Sequence, residues 1–290
     1  MKDKKPKENI SSAGIKESGV EFSVEYDKPR RIFKIDKQDL NGDSVKEIIV
    51  MSVAKDTTEK YNDYYNFDML EVFSLSQEKK KFVKILSETV DYATTCMYED
   101  LESNRNKQIL IATYTGGNDA IVSNGMFVYN MTSADKIDLV KYFDSGDPKI
   151  ENAGKDNSKV IFVSDEFWGV MPMVNVISFV KEIYRLENNK LVIKNSEYAD
   201  YYENIIKDLK VKYHDVKREI ESGAKLKDLP YPLYREAAEV IVNYYSKDDM
   251  DGLKSFWDEE KNTLQKNTSH EEFTDLNNFI NKVLPSSKNA

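Results

Sequence analysis

Asp39, Asn41 and Asp43 alternate along the stretch Asp39, Leu40, Asn41, Gly42, Asp43, and Glu47 follows just before an apolar run. Calcium takes about six to eight oxygen ligands in flexible geometry. A loop supplies them from alternate residues, whose side chains turn inward while a glycine allows the bend. The side chains of Asp39, Asn41, Asp43 and Glu47, with the carbonyl of Val45, meet that need and mark a calcium loop with the metal in a structural role. The same residues also suit an ordinary Asn-Gly turn before a strand. A second, weaker set stands at Asp100, Glu102, Asn104 and Gln108. In a third, Glu151, Ala153, Lys155 and Lys159, two ammonium groups repel a divalent ion, so that loop is expected to be metal-free.

Other chemistry has fewer residues behind it. His214 and His270 fall on separate predicted helices, whereas a zinc site needs three or four convergent groups. Cys96, in an apolar-leaning run, reads as a buried, inert thiol. Asp249, Asp251, Gly252 and Asp258 match part of an EF-hand, but Lys247 takes its first ligand position, so helix capping by Asp248 or Asp249 is the better account. No phosphate loop, dinucleotide loop or Gly-x-Ser-x-Gly elbow occurs. Plentiful Asp and Glu leave a carboxylate-dependent hydrolase as an alternative.

The elements that must position the loops come in copies. After Asp39 follow Ile48, Ile49 and Val50, then Leu70 to Phe73, then Phe82 to Ile85. After Asp100 follow Ile109, Leu110 and Ile111, then Phe127 to Tyr129, then Leu139 to Tyr142. After Glu151 follow Val160, Ile161 and Phe162, then Glu182 to Leu186, then Leu191 to Lys194. The first strand begins at the same offset from the loop each time, which is the mark of an internal repeat.

On Asp39, Asn41, Gly42, Asp43 and Glu47 with Ile48, Ile49 and Val50, the chain resembles the FG-GAP or VCBS-type repeats of integrin-like β-propellers over about residues 30 to 200. The resemblance implies four-stranded antiparallel blades with an acidic loop able to hold calcium. Three copies admit an incomplete ring, a stack of sheets capped by helices, or completion by a second chain.

The predicted architecture is therefore α+β and multi-domain: a polar, disordered tether over 1–18, an antiparallel, propeller-like β-repeat domain over 19–202, and a helical bundle or cap over 203–290. Helices are expected at about Tyr198 to Ser222, after Pro230 and Pro232, near Met250 to Leu264, and at Glu271 to Leu284 behind a capping box of Ser269 and Glu272. The insertions after the first strands carry Tyr61, Tyr64 and Tyr65, then Tyr114, then Phe167, Trp168, Met171 and Met173. If the copies stack alike, these aromatics share the edge opposite the acidic loops, a surface for a protein or glycan; packing among themselves is the alternative.

With 42 basic against 51 acidic residues the net charge is -9, which argues against nucleic acid as partner. No apolar run reaches the length of a transmembrane segment. The polar leader suits the residues that follow a removed export or lipoprotein signal, and extracellular calcium would saturate even a weak loop. The expectation is a non-enzymatic, exported binding or scaffold protein; a cytoplasmic adaptor without metal is the alternative.

Overall fold

The computed structural model of the chain describes residues 11–54, 65–118, 120–152, 158–166, 179–223 and 232–284. Antiparallel sheets come first and helices follow, as the α+β expectation requires. A hairpin of β1 (Ser11–Glu17) and β2 (Val20–Tyr26) precedes a seven-stranded sheet. That sheet runs in chain order through β3 (Arg31–Gln38), β4 (Glu47–Val53), β5 (Phe67–Ser76), β6 (Lys81–Glu99), β7 (Gln108–Tyr114), β8 (Asn124–Ser133) and β9 (Lys136–Phe143). One helical turn, α1 (Ala120–Ser123), interrupts it. A four-stranded sheet holds β10 (Lys149–Asn152), β11 (Lys159–Glu166), β12 (Phe179–Glu187) and β13 (Lys190–Ile193), again in chain order.

The chain divides into two compact units, Met1–Val160 with Arg185–Val192, and Ile161–Tyr184 with Ile193–Ala290. The division falls inside the third copy of the repeat instead of after Tyr202. Strand residues of that copy pack with the helices: the rings of Phe162 and Tyr201 meet at a tilt with centroids 5.0 Å apart, and the Tyr202 hydroxyl donates to the Lys181 carbonyl at 2.5 Å.

In the first unit, β4 (EIIVMSV) is buried along its whole length. Its near-continuous apolar run is what a strand covered on both faces needs. β6 is one strand where the pattern suggests two, Phe82 to Glu88 and Ala93 to Tyr98. Its residues up to Ala93 pair with β5 and those from Ala93 on pair with β7, so that Ala93 stands opposite both Phe67 and Thr113. Just before it, Tyr92 takes a left-handed backbone with φ of 57°. The sheet folds over there. Ile49, Met51, Leu70, Val72 and Leu86 of the first copy meet Ile109, Ile111, Tyr129, Met131 and Ile137 of the second in one buried core.

The outer face of the first copy, Ile48, Val50 and Phe73, is covered by the β1–β2 hairpin through Phe22, whose ring lies 4.7 Å from that of Phe73. Burying a phenylalanine in this way contributes roughly 1.5–3 kcal/mol. Ser11–Glu17, expected as part of a disordered tether, is therefore a strand with a structural task. Its composition is polar because only alternate positions, such as Ile15, face the core. Left-handed Ser18 and Gly19 (φ 49° and 77°) make the tight hairpin turn.

In the second unit α2 (Ala199–Glu221) buries Tyr202, Ile206, Leu209 and Tyr213, a stripe at helical spacing. α3 (Pro232–Ser246) begins at a proline, whose missing N–H costs nothing there. Asp249 caps α4 (Met250–Asn267), and Ser269 with Glu272 makes the expected capping box of α5 (His270–Val283). No described helix is long and apolar enough to cross a membrane.

The acidic loops and the aromatic end of the β-repeat unit

The loop between β3 and β4 is a cascade of short-range bonds. Asp39 accepts from the backbone N–H of Gly42 at 2.8 Å and, through its other oxygen, from that of Ser44 at 2.9 Å. Asn41 Oδ1 accepts from Asp43 N–H, and Asp43 Oδ1 from Val45 N–H. The side-chain amide of Asn41 donates to Asp43 Oδ2 at 3.1 Å. Gly42 is left-handed (φ 74°), and so is Ser44 (φ 70°). Asp39, Asn41 and Asp43 thus lie together on the exposed side of the loop.

Glu47 behaves differently. It is 1% exposed, and its carboxylate accepts from Leu40 N–H at 3.0 Å and from the Ser74 hydroxyl at 3.3 Å. Burial raises its pKa, hydrogen bonding from Leu40 works against that, and the nearby Asp43 carboxylate raises it further. Desolvation of a charged carboxylate is the physical cause.

The second loop shares the outline of this frame, an Asp carboxylate bridging two backbone N–H groups and a buried side chain closing the loop from inside. Its first Asp bond comes one place later, however, and its side-chain amide bond runs the other way. Asp100 accepts from the N–H groups of Asn104 and Arg105, and Asn104 Oδ1 from Asn106 N–H. The Asn104 side-chain amide donates to Glu102, and Leu101 N–H donates to Gln108 Oε1 at 2.8 Å. The left-handed residues are Ser103 and Arg105, at the places of Gly42 and Ser44. Gln108, fully buried, replaces Glu47, and its amide donates onward to Asn130 at 2.9 Å, which itself donates to Asn189 at 3.0 Å. A neutral amide relay thus stands where the first loop has a buried carboxyl group. In the third copy Lys159 is ion-paired to Glu99, while Ala153 and Lys155 lie outside the described residues. A cavity of about 560 Å³ beside this pair is lined by Met97, Met126, Lys149 and Glu151 among others, a surface of alternating charge.

A hard cation fits the chemistry of the first loop's donors, which are all oxygens, and Asp43 and Glu47 place two carboxylates close enough to repel. Each bonded carboxylate oxygen keeps a second lone pair. Against this, Glu47 turns into the sheet. No group of three or more His, Cys, Asp or Glu side chains among the described residues is arranged to hold a metal.

The two acidic loops meet at one end of the unit, where Lys107 N–H donates to the Leu40 carbonyl at 2.9 Å. β4 and β7 both run from this end to the other, so the insertions that follow them emerge opposite. Of the aromatics expected there, Tyr61, Tyr64, Phe167 and Trp168 lie outside the described residues, as do Met171 and Met173. Tyr65 is described, half-buried, with its ring edge-on to Tyr92 at 6.4 Å. Tyr114 turns back on its own loop, donating to the Gly117 carbonyl at 2.7 Å.

Tyr92 and Tyr142 were not in the expected set. They are 48% and 40% exposed, and Tyr142 stacks flat on Phe127 at 4.0 Å. The gap between the two strand patterns on either side of Tyr92 was the only trace of its position in the sequence.

The remaining expectations concern the second unit and Cys96. Asp249 caps α4 by accepting from Gly252 N–H at 2.8 Å and is held by Lys247, as the capping account requires. His214 sits beside Tyr213 on α2 and His270 opens α5. Cys96 packs against the core of the first unit, and burial pushes its thiol up to about 12. Comparison of the chain with family models, with curated proteins and with solved structures gave no match.

Proposed function

We propose that the chain is a non-enzymatic binding or scaffold protein of the VCBS-like β-repeat type, probing a protein or glycan from an exported position, with calcium at the Asp39 to Glu47 loop stiffening the repeat. The carrying observation is that both loops are closed from inside by the same bond, from Leu40 N–H to the carboxylate of Glu47 and from Leu101 N–H to the amide of Gln108. The first loop keeps the oxygens that a cation needs: Asp39, Asn41, Asp43 and Glu47 by side chain and Val45 by carbonyl. The second, with Asp100, Glu102, Asn104 and Gln108, has substituted a hydrogen-bonded amide for the metal's charge. Calcium's contribution would be its binding free energy, added to the stability of the fold.

Calorimetric titration of the full chain with calcium tests this. Uptake of one ion by the wild type and none by Glu47→Gln supports it, since Gln108 shows that an amide at this place keeps the loop closed. Equal heats for the two proteins, or none for either, would sink it.

One observation favours a metal-free loop instead: the oxygens of Asp39, Asn41, Asp43 and Glu47 already accept hydrogen bonds within the chain. In that case the protein is an adaptor whose acidic loops are self-sufficient turns, and the same titration separates the two.

A further inference from the structure

We propose that the fold-over end of the β-repeat unit binds the arginine or lysine side chains of a protein partner, on a surface formed by Tyr65, Tyr92 and Tyr142 and edged by Asp91 and Asp144. This rests on the reading of the chain as a binding protein and names the partner's chemistry.

Three observations point the same way. First, Tyr92 holds a left-handed backbone (φ 57°), a conformation that bulky L-residues avoid and that Gly or Asn adopts with far less strain. Folding alone would favour one of those at a sharp bend. A large aromatic ring kept there, half in solvent, is strain retained at a surface, which is characteristic of binding sites.

Second, the rings are rigidly mounted. Tyr142 lies flat on Phe127, and Phe127 packs against the core of the folded sheet. Tyr65 supports Tyr92 edge-on. Tyrosines held in this way present broad contact area at little further cost in conformational entropy.

Third, the charge is one-sided. Asp91 and Asp144 are exposed, and both act on the Tyr142 hydroxyl, whose pKa is raised first by burial and then by these acids. Asp91 and Asp68 act in the same direction on Tyr65, again after burial. Asp68 is neutralised by Arg30 at 2.7 Å, whereas Asp91 has no ion-pair partner among the described residues. Aromatic faces and carboxylates both attract cations, and a guanidinium can stack on a ring while bonding to a carboxylate. A chain of net charge -9 also steers a basic partner toward itself.

Fluorescence anisotropy of a labelled peptide alternating arginine and glycine, titrated with the full chain, provides the test. Tyr92→Asn, which relieves the backbone, and Asp91→Asn should each weaken binding about tenfold. Tyr92→Phe should bind like the wild type, and so should Glu219→Gln, which removes an equal charge from the exposed face of α2. Thermal melts showing Tyr92→Asn at least as stable as the wild type exclude unfolding as the cause. Binding that ignores Tyr92 and falls equally with Glu219→Gln is general electrostatics and overturns the proposal, as does no binding at all. A neutral oligosaccharide bound through Tyr92, with the arginine peptide excluded, also overturns it while leaving the binding-protein reading intact.

Discussion

Leu40 donates its backbone N–H to the buried carboxylate of Glu47 at 3.0 Å, closing the acidic loop from inside the sheet. Burial sets the sign of the pH response. The folded-state pKa of Glu47 lies above its ordinary value, so the folded chain binds a proton more tightly than the unfolded one. Its contribution to stability is full below the ordinary glutamate range and is lost as pH rises through the folded pKa. Without calcium, urea denaturation at a series of pH values should show wild-type stability falling across that window, with Glu47→Gln flat over the same range. Parallel profiles would mean that Glu47 does not carry this linkage.

Left-handed backbone gives a second expectation. Gly42 meets φ of 74° without a side chain, while Ser103, at the same place in the second loop, holds φ of 56° with one. Ser103→Gly should therefore stabilise the protein by about 0.5–1 kcal/mol, and Gly42→Ala should destabilise it by about 1 kcal/mol or more. Melting curves of the two variants, shifting in opposite directions, are the check.

The Tyr26 hydroxyl makes one of the bonds that hold the N-terminal hairpin to the sheet, beside those of Lys37 to Lys16 and Glu17. Tyr26 donates to Glu71, which is 4% exposed and also ion-paired to Lys84. Tyr26→Phe removes the donor and should cost about 1–3 kcal/mol, since a buried carboxylate loses a partner. Hydrogen exchange should accelerate over Ser11–Tyr26 while the amides of β7 and β8 keep their protection.

In the helical unit Glu260, 1% exposed, accepts from Tyr213 at 2.9 Å and from Lys217 at 2.8 Å, tying α2 to α4. Lys217→Met strips the buried carboxylate of its cation and should lower stability by about 3 kcal/mol or somewhat less, because Lys217 is itself partly solvated. Ser269→Ala, which removes the capping box of α5, should cost about 1 kcal/mol. Urea unfolding of each variant gives the values.

What the sequence disclosed was local. The alternation of Asp39, Asn41 and Asp43, the repeated apolar triplets and the Ser269 to Glu272 box each act within a few residues, and they appear as a tight turn, as strands and as a capped helix. Glu47 shows where that ends: its second partner, Ser74, belongs to the neighbouring strand, a contact that spacing within the loop does not disclose. The fold-over at Tyr92 was hidden because propensity gives no reason for a tyrosine to take positive φ; the packing of two sheet faces imposes it. Ser11–Glu17 was hidden by its polar composition, although the Ser18-Gly19 pair was a usable hairpin signal.

The central claim, calcium at the first loop, is tested most directly by amide NMR of the full chain during a calcium titration, following Gly42 and Ser44, whose N–H groups bond to Asp39. Saturable shifts confined to residues 39–47 and lost in Asp43→Asn are the expected result. Unchanged Gly42 and Ser44 signals at millimolar calcium would contradict the claim and leave the loop a turn closed by its own hydrogen bonds.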